Sequence, residues 1–550
     1  MVATRDADAE QVERWRVEAE RWRGEAERLA EENVRLRARE AELEGQVAAL
    51  SERVTTLSRS VFGDSSEKQK PKGRGRVDQH DENGGEAGGD DCGNSGGGRP
   101  RGQQPGSRGH SRRDYSHLET EEEVHELDEG QRCCTQCGAA YVPFGEECSE
   151  QVDWRVRVVR IVHRRRSYRA TCGCGVPGVL TAPVPAKPIP KGRFTAPFLA
   201  RLLVDKYVLG RPLSRIVSAL SHEGLDVAPG TLVGALKATS GLLAPLDAAI
   251  RARNAAAGHV HVDETSWKVF ETIAGKANQR WWLWVFVAAD TTLFTIEPSR
   301  STKVLTDHLG IDLAAGELEA GRRLLVSSDF FTVYQALDRV QGVDALWCWA
   351  HIRRYFIRAG DGHPEVLAGW RDAWLGRIAR LYAAHETRAD TRPDSVEQLQ
   401  AEAEVSAALE VMDAARHREQ ADPATHPAAV KVLATLDHEW DGLVRHRDFP
   451  QLPLDNNTAE RGLRTPVVGR KNYYGSGSVW AATLAGRIWS IAATAAQAGA
   501  NPLIYLTGYL TACATAGGQP PPDDVLAGFV PWTATADQRA RWQSTGGPAP

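Results

Sequence analysis

The 550-residue chain contains no run of about 18 apolar residues, and its first residues are charged rather than signal-like. That absence predicts a soluble, intracellular protein. Cysteine is scarce too, with nine in the whole chain, several of them in C-x-x-C or C-x-C pairs. So few thiols exclude a disulfide-built scaffold, and paired thiols in a reducing compartment favour a bound metal. An excess of one charge is also missing. At a net charge of −5, affinity for nucleic acid has to come from local basic patches rather than from the overall field. Between about Gly63 and Asp114 almost nothing is available to bury, which predicts a flexible linker.

What is present begins with a heptad register running from Val12 to Leu57. Every second core position is Trp or Leu: Trp15, Trp22, Leu29, Leu36, Leu43, Leu50 and Leu57. Flanking Glu and Arg complete the pattern of a coiled-coil zipper over 10–62, and Asn33 at a core position favours a parallel dimer, expected to be a homodimer. A single amphipathic helix laid on the body fits the same pattern. The linker, 63–114, ends in a basic stretch that includes Arg99, Arg101, Arg112 and Arg113. These arginines either reach DNA phosphates and a narrow minor groove or only keep the linker solvated.

Over 115–185, Cys134 and Cys137 form one pair and Cys172 and Cys174 another. Two expected strands between them, 152–159 and 161–169, would bring both pairs around one tetrahedral zinc. A closed four-thiolate site is structural, and unligated buried thiols are the alternative. Arg157, Arg160, Arg164, Arg165, Arg166 and Arg169 crowd this hairpin and either lie on phosphates or face solvent. Residues 190–256 read as helix, Gly-containing turn, helix. That fits a DNA-reading helix-turn-helix and plain helical packing equally well.

Three acidic stretches organise the rest. His261-Val262-Asp263-Glu264-Thr265 ends an alternating, strand-like run, and Ser327-Ser328-Asp329-Phe330 follows another. Asp455-Asn456-Asn457-Thr458-Ala459-Glu460-Arg461 opens a helix. An acid at a strand end has its backbone fixed by the sheet, so its oxygens can be aimed. Asp263, Asp329 and Glu460 brought together make an all-oxygen site suited to magnesium or manganese. A pair of such ions suits in-line attack on a phosphodiester. Glu264 and Asp455 are expected bystanders, Asp455 as a cap on the following helix.

From Gly258 the elements read strand, strand, strand, helix, strand, helix, strand. The 131 residues from 329 to 460 are too many for one connection and are patterned as helices. Residues 257–359 and 451–515 are therefore expected to form one core, split by a helical insertion over 360–450. Arg461, Arg464, Arg470 and Lys471, interleaved with Tyr473, form a basic cluster beside Glu460. Either it holds DNA phosphates, with Tyr473 stacking on a base, or it is a solvated helix face. The Pro- and Gly-rich stretch 516–550 is expected to be disordered.

These stretches resemble the transposases of insertion-sequence family 66, of the DDE class. The resemblance extends through Cys348-Trp349-Ala350-His351-Ile352-Arg353-Arg354-Tyr355-Phe356 and Gly469-Arg470-Lys471-Asn472-Tyr473. It implies a multidomain α+β protein with a ribonuclease-H-like core, Asp263, Asp329 and Glu460 as the catalytic triad on two magnesium or manganese ions, and a zinc-ribbon-like module. The implied activity is that of a DNA transposase, which binds the ends of its own element, hydrolyses phosphodiesters with divalent metal and joins 3′-hydroxyl ends to target DNA. Bacterial cytoplasm, DNA and accessory proteins of the same element are the implied surroundings, with no membrane. Two readings compete: a metal-dependent nuclease or resolvase that does not join strands, and an inert dimeric zinc-containing DNA-binding protein. Gly462 departs from the family, which usually carries Ala there, and Gly inside a helix costs roughly 1 kcal/mol relative to Ala.

Overall fold

The computed structural model describes residues 157–543, apart from 170, 172–178, 275, 277, 319–320 and 393–394, with scattered positions nearer the N-terminus. The heptad core positions and the linker, with Arg99, Arg101, Arg112 and Arg113, lie outside the described residues. Between those heptad positions, Arg21, Gly24, Arg28, Glu32, Arg35 and Arg39 are helical and exposed. Contacts divide the chain into two compact units, Met1–Ser111 with Ile357–Arg371, and Arg112–Phe356 with Asp372–Pro550. The second unit is mixed α+β and holds both sheets.

Its first strands are short. β1 (Ser167–Arg169) pairs antiparallel with β2 (Val179–Thr181), Ser167 opposite Thr181. The described end of the expected strand 161–169 thus pairs with β2, and of its expected partner, 152–159, residues 152–156 lie outside the described residues. Residues 157–166 form no strand and are almost entirely exposed, the apolar Val159, Ile161 and Val162 among them. Helices α1 (Ala196–Leu203), α2 (Leu213–His222), α3 (Pro229–Leu242) and α4 (Ala244–Ala255) follow. Thr195 starts α1, its hydroxyl accepting the Phe198 amide at 3.4 Å. α3 buries Leu232, Ala235, Leu236 and Thr239 on one face, in the pattern of core packing.

The main sheet comprises β3 (His259–Lys268), β4 (Arg280–Val287), β5 (Thr292–Glu297), β6 (Leu324–Ser328) and β7 (Val343–Trp347), in the order β5-β4-β3-β6-β7. β3, β4 and β5 are antiparallel, while β6 and β7 run parallel to β3. β4 reads as a continuous apolar run because both of its faces are covered. Leu283, Val285 and Val287 belong to one core with Phe294 and Ile296. On the opposite face Trp284 meets Tyr334 edge-on at 6.4 Å and Phe286 meets His308 at 4.4 Å. Helix α5 (Thr302–Leu309) separates β5 from β6, and α6 (Thr332–Gln335) follows β6.

After β7 come α7 (Trp349–Gly362), α8 (Pro364–Asp390), α9 (Val396–Ala421), α10 (Pro427–His438) and α11 (Trp440–Val444), all before α12 (Asn457–Tyr473). Helix α13 (Val479–Gln497) closes the β5 edge of the sheet. Its Ser490 and Thr494 hydroxyls accept the β5 amides of Phe294 (2.8 Å) and Thr292 (3.1 Å), satisfying groups that an open edge would leave exposed. That approach demands small residues: a Cβ on Gly486 would stand 3.0 Å from the Phe294 carbonyl oxygen.

The chain ends with α14 (Pro502–Thr515), α15 (Asp523–Ala527) and α16 (Ala536–Gln543). Residues 516–543 are thus not the disordered tail that the composition of 516–550 implies, and 544–550 lie outside the described residues. Val530, Ala534 and Trp542 are buried in the main core, and the Trp542 carbonyl accepts the Asn501 amide at 2.9 Å. These anchors are too widely spaced among Pro and Gly to leave a periodic pattern. Among the described residues, no single helix is long and apolar enough to cross a membrane.

Candidate active site

Asp263 stands not at the end of its strand but in the middle of the ten-residue β3. The reason lies in the ladder. β3 pairs with β6 only through His259–His261, while its pairing with β4 continues to Lys268. Asp263 therefore sits two residues beyond the His261–Ser327 pair, and Asp329 sits two residues beyond the same pair on the parallel neighbour. Both acids lie at one end of the parallel ladder. The Asp263 Oδ1 accepts the Glu264 amide at 2.8 Å, and the Asp329 Oδ1 accepts the Phe331 amide at 3.0 Å.

Glu460 lies in the first turn of α12. Its carboxylate faces α7, with Arg354 Nη2 at 3.0 Å from Oε2 and 3.2 Å from Oε1, and His351 Nε2 at 3.7 Å from Oε1. Electrostatics tie the three acids together. The Asp263 carboxyl is pushed up to about 8, first by burial, then by Glu264, with Asp329 and Glu460 adding to the rise.

Glu264 belongs to the other face of β3. Its Oε1 accepts Arg300 Nε at 2.7 Å and its Oε2 accepts the Tyr334 hydroxyl. The Arg300 guanidinium lies 3.5 Å over Phe331 and 4.7 Å from the Trp282 ring. This group ties β3 to the segment that follows Asp329, and it leaves Glu264 no free oxygen. Asp455 receives the Asn457 amide at 3.0 Å, a cap on α12.

The donor chemistry of the three acids fits a hard divalent cation: all their donors are carboxyl oxygens, and the upward push that burial and neighbouring acids give Asp263 is one a cation would relieve. Among the described residues, however, no three His, Cys, Asp or Glu side chains already stand as a metal-binding group. Glu460 is turned to Arg354 instead. Of the zinc candidates, Cys134, Cys172 and Cys174 lie outside the described residues, and Cys137 is exposed with a free thiol.

The basic cluster on α12 divides in two. Arg461, Arg464 and Lys471 are exposed on its outer face. Arg470 turns inward instead, its Nη1 donating to Thr265 Oγ1 at 2.9 Å and to the Ser266 carbonyl. Tyr473 is half-buried with Lys206 Nζ 4.5 Å from its ring centroid, and its hydroxyl is enclosed. Neighbouring Tyr474 is 71% exposed. Sequence reasoning underrated Arg354 and Asn456, which act through contacts to residues far away in the chain. Their signal was their place inside the longest motif stretches.

The segment from 191 to 484, more than half of the chain, matches the family described as "Transposase IS66 family". The chain belongs to the IS66 transposase family. The matched segment contains Asp263, Asp329 and Glu460. Two proteins of Sinorhizobium fredii (strain NBRC 101917 / NGR234) are similar along most of their length. The uncharacterized protein y4qI is 26% identical over 444 residues, 77% of each chain. The uncharacterized protein y4jD is 24% identical over 418 residues, 74% of this chain and 79% of its own. Membership supports a transposase role for the chain.

Proposed function

We propose that this IS66 transposase cuts DNA at the ends of its element and joins the freed 3′-hydroxyls to target DNA, using Asp263, Asp329 and Glu460. What supports this reading is the placement of Asp263 and Asp329, each two residues beyond the His261–Ser327 pair at one end of the β3–β6 ladder, with Glu460 near enough to add to the rise of the Asp263 carboxyl. The strand order β5-β4-β3-β6-β7, with β3 at the centre, supports a ribonuclease-H-like core. Asp263, Asp329 and Glu460 would hold two magnesium or manganese ions. When bound, such ions activate the attacking oxygen and stabilise charge on the leaving oxygen.

The chain's own residues supply the rest. The backbone amides of Glu264 and Phe331 fix the Asp263 and Asp329 carboxylates. Arg354 balances the Glu460 charge and is placed to take up a DNA phosphate when Glu460 engages a cation. Arg461, Arg464 and Lys471, exposed along α12, hold the backbone of the bound strand. Zinc on Cys134, Cys137, Cys172 and Cys174 would be structural, and the N-terminal heptads would pair two copies.

The test is cleavage of labelled DNA carrying the element's ends, with magnesium or manganese, by wild type and by Asp263→Asn, Asp329→Asn and Glu460→Gln. Each variant is expected to lose cleavage by more than about 100-fold while still binding the ends. Cleavage by all three at the wild-type rate removes the assignment.

A further inference from the structure

We infer that Asn456 is the positioning residue that fixes the Glu460 helix against the Asp263 strand, and this rests on the triad reading above. Asn456 is 1% exposed. Its Nδ2 donates to the Val262 carbonyl at 2.7 Å, one residue before Asp263. Its Oδ1 lies 3.1 Å from His261 Nδ1. Its main-chain amide donates to Cys348 Sγ at 3.1 Å, at the head of the helix that presents His351 and Arg354 to Glu460. Its carbonyl accepts the Glu460 amide at 3.3 Å. One residue thus joins the strand of the first acid, the helix of the third and the helix that neutralises the third.

The chemistry of the position selects asparagine. β6 leaves β3 after His261, and Asn456 supplies a donor to the Val262 carbonyl next beyond that point. Because the amide nitrogen must face this carbonyl, the amide oxygen faces His261, which then donates from Nδ1. Aspartate would set an oxygen against the Val262 carbonyl in a buried place, and alanine would leave two buried groups without partners. A shift of the α12 start moves Glu460 directly, since one backbone hydrogen bond links them.

Asn254 provides an internal comparison. It is 0% exposed, donates to the Phe286 carbonyl at 3.2 Å and lies 2.8 Å from His308 Nε2. It repeats the amide, imidazole and strand-carbonyl arrangement without being attached to any of the three acids.

The experiment uses the full-length protein and manganese alone as the probe, followed by electron paramagnetic resonance or calorimetry, with thermal melting in parallel. Asn456→Ala and Asn456→Asp are expected to weaken manganese binding by about 10- to 100-fold. Asn254→Ala is expected to lower the melting temperature comparably but to bind manganese like wild type. Manganese binding within twofold of wild type in both Asn456 variants overturns the inference, as does equal weakening in Asn254→Ala. Asp263→Asn separates the two claims. If it binds manganese normally, the triad reading fails and takes the inference with it; if it loses binding while the Asn456 variants do not, only the inference fails. Should Asn456→Ala not fold, Cys348→Ala removes a single anchor and is expected to weaken manganese binding several-fold; wild-type binding there overturns the inference equally.

Discussion

Gly462 shows how a single residue bears on the site. It lies half a turn past Glu460, and a Cβ there would meet Val285 Cγ2 at 3.4 Å, Val287 Cγ2 at 3.7 Å and Phe294 Cζ at 4.0 Å. Those are ordinary van der Waals contacts, so a methyl fits without displacing anything. Pro466, four residues on, has no amide to donate to the Gly462 carbonyl, so this part of α12 already lacks one rung. Gly462→Ala is expected to stabilise the protein by about 0.5–1 kcal/mol through the helix backbone alone, read as a raised melting temperature. A lowered one would show that the contacts with β4 and β5 are tighter than the geometry indicates. At this scale the stretches holding Asp263, Asp329 and Glu460 stood out in the sequence by a strand run or a helix start, although Asp263 lies inside β3 rather than at its end. Asn456 and Arg354 were not, because their partners lie 195 residues away at His261 and 106 residues away at Glu460. Neither periodicity nor spacing records such a contact.

At the scale of elements, α12 has two faces with different duties. Arg461, Arg464 and Lys471 point outward, while Arg470 is bonded to β3 and Tyr473 lies beneath Lys206. Replacing the three outward residues with Ala is expected to weaken DNA binding and to reduce its salt dependence by about one per charge removed. Arg470→Ala is expected to lower stability with little change in that salt dependence. Binding isotherms at several salt concentrations, with thermal melts of the same proteins, decide between them; an unchanged slope in the triple variant would make the outer face merely solvated. The sequence could not separate Arg470 from its neighbours, since all four basic residues share one helix and only the tertiary position of Thr265 and Ser266 distinguishes it. The strands and helices of the core were readable from alternation and helical spacing. The partner of β1 was not, because a three-residue strand carries too little pattern to choose its mate.

The whole molecule carries buried imidazoles that make its stability depend on pH. His308 is held down to about 3, chiefly by burial, with Arg251 and Arg322 adding to the effect. His446 is held down to about 4, again chiefly by burial. The folded state therefore refuses protons that the unfolded chain accepts near the ordinary histidine value of about 6.5. Their contribution is complete above that pH and is lost as the pH falls toward the folded values, by roughly 5 kcal/mol at most for His308. Asp263, whose raised carboxyl takes up a proton in the folded state first, acts in the opposite sense over the same range. Urea unfolding from pH 7.5 to 4.5 is therefore expected to show a smaller acid-dependent loss in His308→Gln than in wild type. An identical fall in both proteins would place the acid sensitivity elsewhere. Strand joining is the step that separates a transposase from a nuclease. Wild type and the Asp263→Asn, Asp329→Asn and Glu460→Gln variants would be given pre-cut element ends, target DNA and magnesium. Joined products from wild type alone are the predicted result; cleavage of intact ends without any joining of pre-cut ones would make the chain a nuclease and contradict the account.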